Sequence, residues 1–114
     1  MKLTIVVASI FLTGCSIILP KPHDPVMFDQ MVGIKITLNN TKCAGDKNWD
    51  SLFDKVERLK VYTELRKDPQ AKSVDDLQVA LKKAHSSANP IFCESVLKVN
   101  RVRVDTIADA WRGR

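Results

Sequence analysis

The sequence is short of turn formers and of the residues that usually carry out chemistry. Four glycines occur in 114 residues, too few for the closely spaced turns of a β-rich domain, and they form no phosphate-cradling loop. The two histidines, His23 and His85, stand apart from any cysteine or carboxylate at metal-ligand spacing, so no metal site is expected. There is no repeat, no low-complexity tract and no second apolar span beyond the N-terminal one. Asp75 and Asp76 come nearest to a carboxylate pair, but adjacent residues on a helix do not face each other, and charge at a helix start explains them better. Glu57, Glu64 and Glu94 have no recognisable setting for a general acid. No catalytic residue, metal or cofactor is expected, and the chain reads as a non-enzyme.

What remains is ordinary for a folded domain: 45% apolar and 27% charged residues, which argues against disorder. The N-terminus is different in kind. Lys2 is followed by an apolar run from Leu3 to Leu12, interrupted only by Thr4, Ala8 and Ser9, and ending in Leu12-Thr13-Gly14-Cys15. Ten residues of helix cover about 15 Å, half a hydrocarbon core. A positive start, a short apolar middle and small residues at its end are the pattern of a secretory signal peptide rather than of a buried helix.

The four residues Leu12 to Cys15 resemble the lipobox of bacterial lipoproteins: Leu, a small residue, Gly or Ala, then Cys. The resemblance implies that residues 1–14 are removed, that Cys15 receives a diacylglycerol, and that its new amino group is acylated. Ser16 stands where many inner-membrane lipoproteins carry Asp, which favours the outer membrane. A lipid on Cys15 also explains an odd count of three cysteines. Cys43 and Cys93 are left, and in an oxidising compartment a lone pair of thiols in a small domain should form a disulfide; two inert buried thiols are the alternative.

Residues 15–23 read as a lipidated tether, kept extended by Pro20 and Pro22. Its apolar Ile17-Ile18-Leu19 suits either the membrane interface or the surface of the domain. Residues 24–114 then carry four helical patterns. Asp24-Pro25 caps a first helix, with Met27, Met31, Ile34 and Leu38 inward, flanked by Phe28 and Val32, running to about Cys43. Asp46 or Asn48 caps a second, with Trp49, Leu52, Phe53, Val56, Leu59, Tyr62 and Leu65 inside, stopped by Asp68-Pro69. Ser73 and Asp76 resemble a capping box opening a third, with Val74, Leu77, Leu81 and Ala84 inward. Asn89-Pro90 opens a fourth, with Phe92, Val96, Val99, Val104, Ile107 and Trp111 inward, although Val99 to Val104 alternates as a strand would. The expected fold is all-α: a small antiparallel bundle of about four helices, stapled by one disulfide. In an up-down-up-down order, the end of the first helix and the start of the fourth share one end of the bundle, which suits a Cys43–Cys93 bridge.

The net charge of +5 falls to about +4 once Lys2 leaves with the signal peptide. Basic and acidic residues are interspersed on the last helix, so a solvated face explains them better than a ligand patch. Outside the cytoplasm the partners within reach are anionic headgroups or an acidic protein surface, and nucleic acid is not expected. Tyr62, Arg101, Arg103 and Trp111 are the candidate partner-binding anchors, being of the types that carry binding energy at interfaces. The expected role is that of an outer-membrane-anchored, periplasm-facing lipoprotein that binds another envelope component without catalysis. Its size is similar to that of small lipoproteins of phages, prophages and plasmids that exclude superinfection. A lysis-associated outer-membrane spanin subunit is the alternative, and a helical murein-cleaving enzyme the least supported.

Overall fold

The computed structural model describes residues 23–45 and 47–112. Among them are four helices and no strand: α1 Pro25–Asn39, α2 Trp49–Leu65, α3 Ala71–Ser86 and α4 Pro90–Arg112. Two of the eight ends, the end of α1 and the start of α3, differ from the sequence expectation.

Helix α1 starts as expected. Asp24 is extended, and its Oδ1 accepts from the Val26 and Met27 N–H groups at 2.9 and 3.1 Å, while Pro25 occupies the first turn, where no N–H is required. The helix ends at Asn39, short of Cys43. Here the polar side chains of Thr37, Asn40 and Thr41 donate to the carbonyls of Gly33, Ile36 and Thr37, one turn back. Such side chains compete with the main chain for the same acceptors and let the helix lapse. Gly45, at φ +87°, then turns the chain in a conformation that side chains resist. Asn48 precedes α2 at φ +74° with no side-chain cap; its Nδ2 donates instead to Asn40 O at 3.0 Å, closing the end of α1. Asp46, the other proposed cap, lies outside the described residues.

Helix α2 stops before Asp68-Pro69. Lys67 takes a left-handed conformation, φ +54°, with its N–H on Glu64 O at 3.1 Å and that of Asp68 on Thr63 O at 2.9 Å. This is the Schellman closure, built on a lysine where glycine is usual. Leu65, expected inside, is consequently at the frayed end and 80% exposed, and Thr63 is buried in its stead. Helix α3 starts earlier than the Ser73–Asp76 box would have it. Asp68 Oδ1 accepts from Gln70 N–H at 2.8 Å and its carbonyl from Ala71 N–H at 3.0 Å, so the turn leads straight into helix. Ser73 therefore sits inside α3, and Asp76 pairs with Lys72 one turn away.

Helix α4 is continuous through Val99–Val104, capped by Asn89 Oδ1 on the Ile91 and Phe92 N–H groups at 3.0 and 3.3 Å. Its inward stripe is Cys93, Leu97, Asn100, Val104, Ile107 and Trp111, at alternating spacings of four and three. Phe92 and Val99, expected inside, are 46% and 59% exposed, and Val96 is half-buried. The buried stripe is interrupted by a polar residue, Asn100, which hid it from a search for apolar spacing. Asn100 is tolerated in the core because its Nδ2 donates to Val96 O at 2.7 Å and its Oδ1 accepts from Arg103 Nη1 at 3.0 Å.

The helices pack in cyclic order, α1 on α2, α2 on α3, α3 on α4 and α4 back on α1. Neighbours run antiparallel: His23, just ahead of α1, lies against Trp111 at the end of α4, and Lys60, late in α2, pairs with Asp75, early in α3. The core between them is apolar, with Met27, Met31, Ile34, Leu52, Leu59, Leu77, Leu81, Leu97 and both tryptophans essentially inaccessible. Cys43 and Cys93 are bridged, Cα atoms 6.0 Å apart, at the end opposite the entering chain.

Candidate functional site

The two ends of the bundle are pinned by different chemistry. At the disulfide end, Trp49 Nε1 donates to Lys42 O at 3.0 Å, and the Trp49 ring packs on His85 and Phe53 with centroids at 4.6 and 5.6 Å. At the entry end stand two buried carboxylates. Asp24 Oδ2 accepts from Tyr62 Oη at 2.8 Å and forms an ion pair with Arg66 Nε at 3.1 Å, tying the start of α1 to the end of α2. Asp68 Oδ1 accepts from Trp111 Nε1 at 3.1 Å, tying the α2–α3 turn to the end of α4. Burial works to push the Asp24 carboxyl up, but the Tyr62 hydroxyl, the Met27 N–H, the Arg66 charge and the Val26 N–H outweigh it and hold it below the usual carboxylate value. Tyr62 is raised in turn, chiefly by its hydrogen bond to Asp24.

These pins decide the standing of the four candidate anchors. Trp111 is 1% exposed and spends its only donor on Asp68. Tyr62 is half-buried and spends its hydroxyl on Asp24. Arg101 lies against the α1 terminus, Nη2 to Thr41 O at 3.5 Å. Arg103 alone stands on an open face: it borders two shallow depressions between α3 and α4, of about 270 and 370 Å³, both of which include Val99. The four are spread over the molecule and do not converge. Cys15 lies outside the described residues.

The face beside Arg103 has a simple helical origin. Phe92, Ser95, Val99, Val102, Thr106 and Ala110 follow one another at steps of three and four, so they form one stripe on α4. None is charged, and the stripe runs about 27 Å along the helix. Helix α4 thus carries two apolar stripes, one spent in the core and one outward, where Phe92, Val99 and Val102 are 46%, 59% and 64% exposed. Arg103 edges the outward stripe, its guanidinium steadied by the buried Asn100 and close enough to Asp76 to lower that carboxyl further, after the main effect of Lys72. The strip thus sets exposed apolar side chains, broken by Ser95 and Thr106, beside one arginine held by Asn100. Sequence reasoning named Phe92, Val96 and Val99 but placed them inward; the signal that separates the stripes is Cys93, whose bridge fixes which side of α4 faces the bundle.

Among the described residues, no group of three His, Cys, Asp or Glu side chains is placed to hold a metal ion, and no helix is long and apolar enough to cross a membrane. None of the family models, curated proteins or solved structures compared with the chain matches it.

Proposed function

We propose that this protein is a lipid-anchored lipoprotein of the bacterial outer membrane whose periplasmic helical bundle, residues 24–114, binds another envelope component without catalysing a reaction. The observation that carries the binding role is the outward stripe of α4, Phe92, Val99 and Val102 beside the steadied Arg103. Apolar area of this kind costs free energy in water and is recovered when a partner covers it. The anchor rests on the lipobox Leu12-Thr13-Gly14-Cys15, and the Cys43–Cys93 bridge is consistent with an oxidising compartment. The partner we favour is a protein, because the stripe itself bears no charge that would recruit an anionic headgroup. Exclusion of superinfecting phage is the narrower role, by similarity of size and organisation to phage- and plasmid-borne lipoproteins.

Metabolic labelling with a fatty acid tests the anchor. Label should enter the wild-type chain and be lost in Cys15→Ala, which should also retain residues 1–14. Equal labelling of the two chains would overturn the lipoprotein reading.

A further inference from the structure

The groove between α1 and α4 lies on the flank of α4 opposite the outward stripe. It has a volume of about 490 Å³, and Phe28, Val32, Val104 and Ala108 contribute to its lining. Its lining also includes Lys35, Asp105, Asp109 and Arg112, which are matched with one another in the Lys35–Asp105 and Arg112–Asp109 ion pairs. Beside it, Val32 and Ile36 lie one turn apart on α1 and are 43% and 58% exposed. Nothing within the described residues covers this strip.

The chain enters the bundle at the mouth of the same groove. His23 Nδ1 lies 3.4 Å from the carbonyl of Trp111 at the end of α4, and its ring is 6.1 Å from that of Phe28. Immediately upstream is Ile17-Ile18-Leu19-Pro20-Lys21-Pro22, whose three consecutive large aliphatic residues are out of place in a solvated tether. Leu19 and Ile17 lie four and six positions before His23, giving reaches of at most about 14 and 21 Å. Along α1, from Phe28 to Lys35, the groove needs only about 10 Å. Pro20 and Pro22 each fix a backbone φ in the unfolded chain as well, which reduces the entropy lost on ordering the segment.

We infer that Ile17-Ile18-Leu19 docks in the α1–α4 groove, over Phe28 and Val32, and straps the domain to its own tether. The occupant is the chain itself because the apolar segment and the groove's apolar side chains, Phe28, Val32, Val104 and Ala108, are joined within reach, and the charged residues of the lining are matched with one another. The strap leaves the outward stripe of α4 free, since the two surfaces lie on opposite flanks of that helix. It also shortens the free tether to the single residue, Ser16, between the strap and Cys15, holding the bundle against the bilayer by its α1–α4 side.

The inference does not depend on the lipid, and the experiment reads the two separately. In the full chain expressed in its envelope, Ile18→Cys is combined with Val32→Cys or, as a control on α2, with Val61→Cys, which is exposed but remote from the groove. Brief mild oxidation should bridge the introduced cysteines within one chain at least tenfold faster in the Val32 pair than in the Val61 pair. Mass spectrometry of the same digest reports whether Cys15 carries lipid. Equal rates, no bridging at Val32, or bridging mainly between chains would overturn the strap. So would strong quenching of a bimane on Ile18→Cys by nitroxide lipids in vesicles, which would place the segment in the membrane instead.

Discussion

The carboxylate of Asp24 does three jobs at once, so its replacement should cost more than a surface position normally does. It caps α1 through Oδ1, accepts the Tyr62 hydroxyl through Oδ2, and pairs with Arg66. Loss of an N-cap costs about 1 kcal/mol. Loss of a hydrogen bond to a charged group adds about 1.5–3 kcal/mol. The ion pair adds little, because Arg66 is 35% exposed and screened. Asp24→Ala should therefore destabilise the bundle by about 3 kcal/mol, which lowers the melting temperature of a domain this size by roughly 15 °C. Asp24→Asn, which keeps a cap acceptor, should fall between wild type and Asp24→Ala. Tyr62→Phe should cost about 1.5 kcal/mol, and in a double-mutant cycle with Asp24→Ala most of that cost should vanish. The pH dependence has a definite sign. The folded Asp24 carboxyl lies below its ordinary value, so the stability it confers is complete above the unfolded carboxylate value of about 3.9 and is lost as pH falls through the lower, folded value. Urea denaturation from pH 7 down to pH 2 should show a constant gap between wild type and Asp24→Asn above about pH 4.5, narrowing below pH 4. Strict additivity with Tyr62→Phe, or a gap that persists unchanged to pH 2, would show that Asp24 does not join the two helices.

Removing the bridge with Cys43→Ser and Cys93→Ser should destabilise the fold by up to about 4 kcal/mol, the chain-entropy value for a loop of 50 residues; a loss under 1 kcal/mol by urea denaturation would contradict that. Trp111→Ala should cost about 3–5 kcal/mol with loss of near-ultraviolet ellipticity, as befits a core side chain, whereas an exposed anchor would cost almost nothing. Lys67→Gly should raise stability by about 0.5–1 kcal/mol at an unchanged denaturant slope, because the left-handed closure of α2 carries a β-carbon penalty at Lys67.

Most of the fold could be read in the sequence because its punctuation is local. Asp24-Pro25 and Asn89-Pro90 open helices by hydrogen bonds to the next two or three residues, and those bonds are present. The Cys43–Cys93 bridge followed from compartment and topology together, and it is there. The misses are non-local or competitive. The end of α1 depends on whether threonine and asparagine side chains or main-chain N–H groups win the same carbonyls. The start of α3 depends on Asp68, which read only as a stop signal for α2 and also serves both the turn and Trp111 across the bundle. The register of α4 could not be settled by hydrophobicity, since two apolar stripes compete and the buried one contains Asn100. The candidate site suffered most from this, because choosing the wrong stripe for the core conceals the outward one.

The outward stripe can be tested where it is proposed to work. A photoreactive benzophenone residue at Val99 or at Val102 should yield one discrete cross-linked envelope protein on illumination of intact cells, and the same residue at Val61 should not. Phe92→Asp, at an exposed position, should abolish that product while leaving the melting temperature within a few degrees of wild type. Equal products from Val61, or no product from Val99 and Val102, would mean that α4 does not present the binding face.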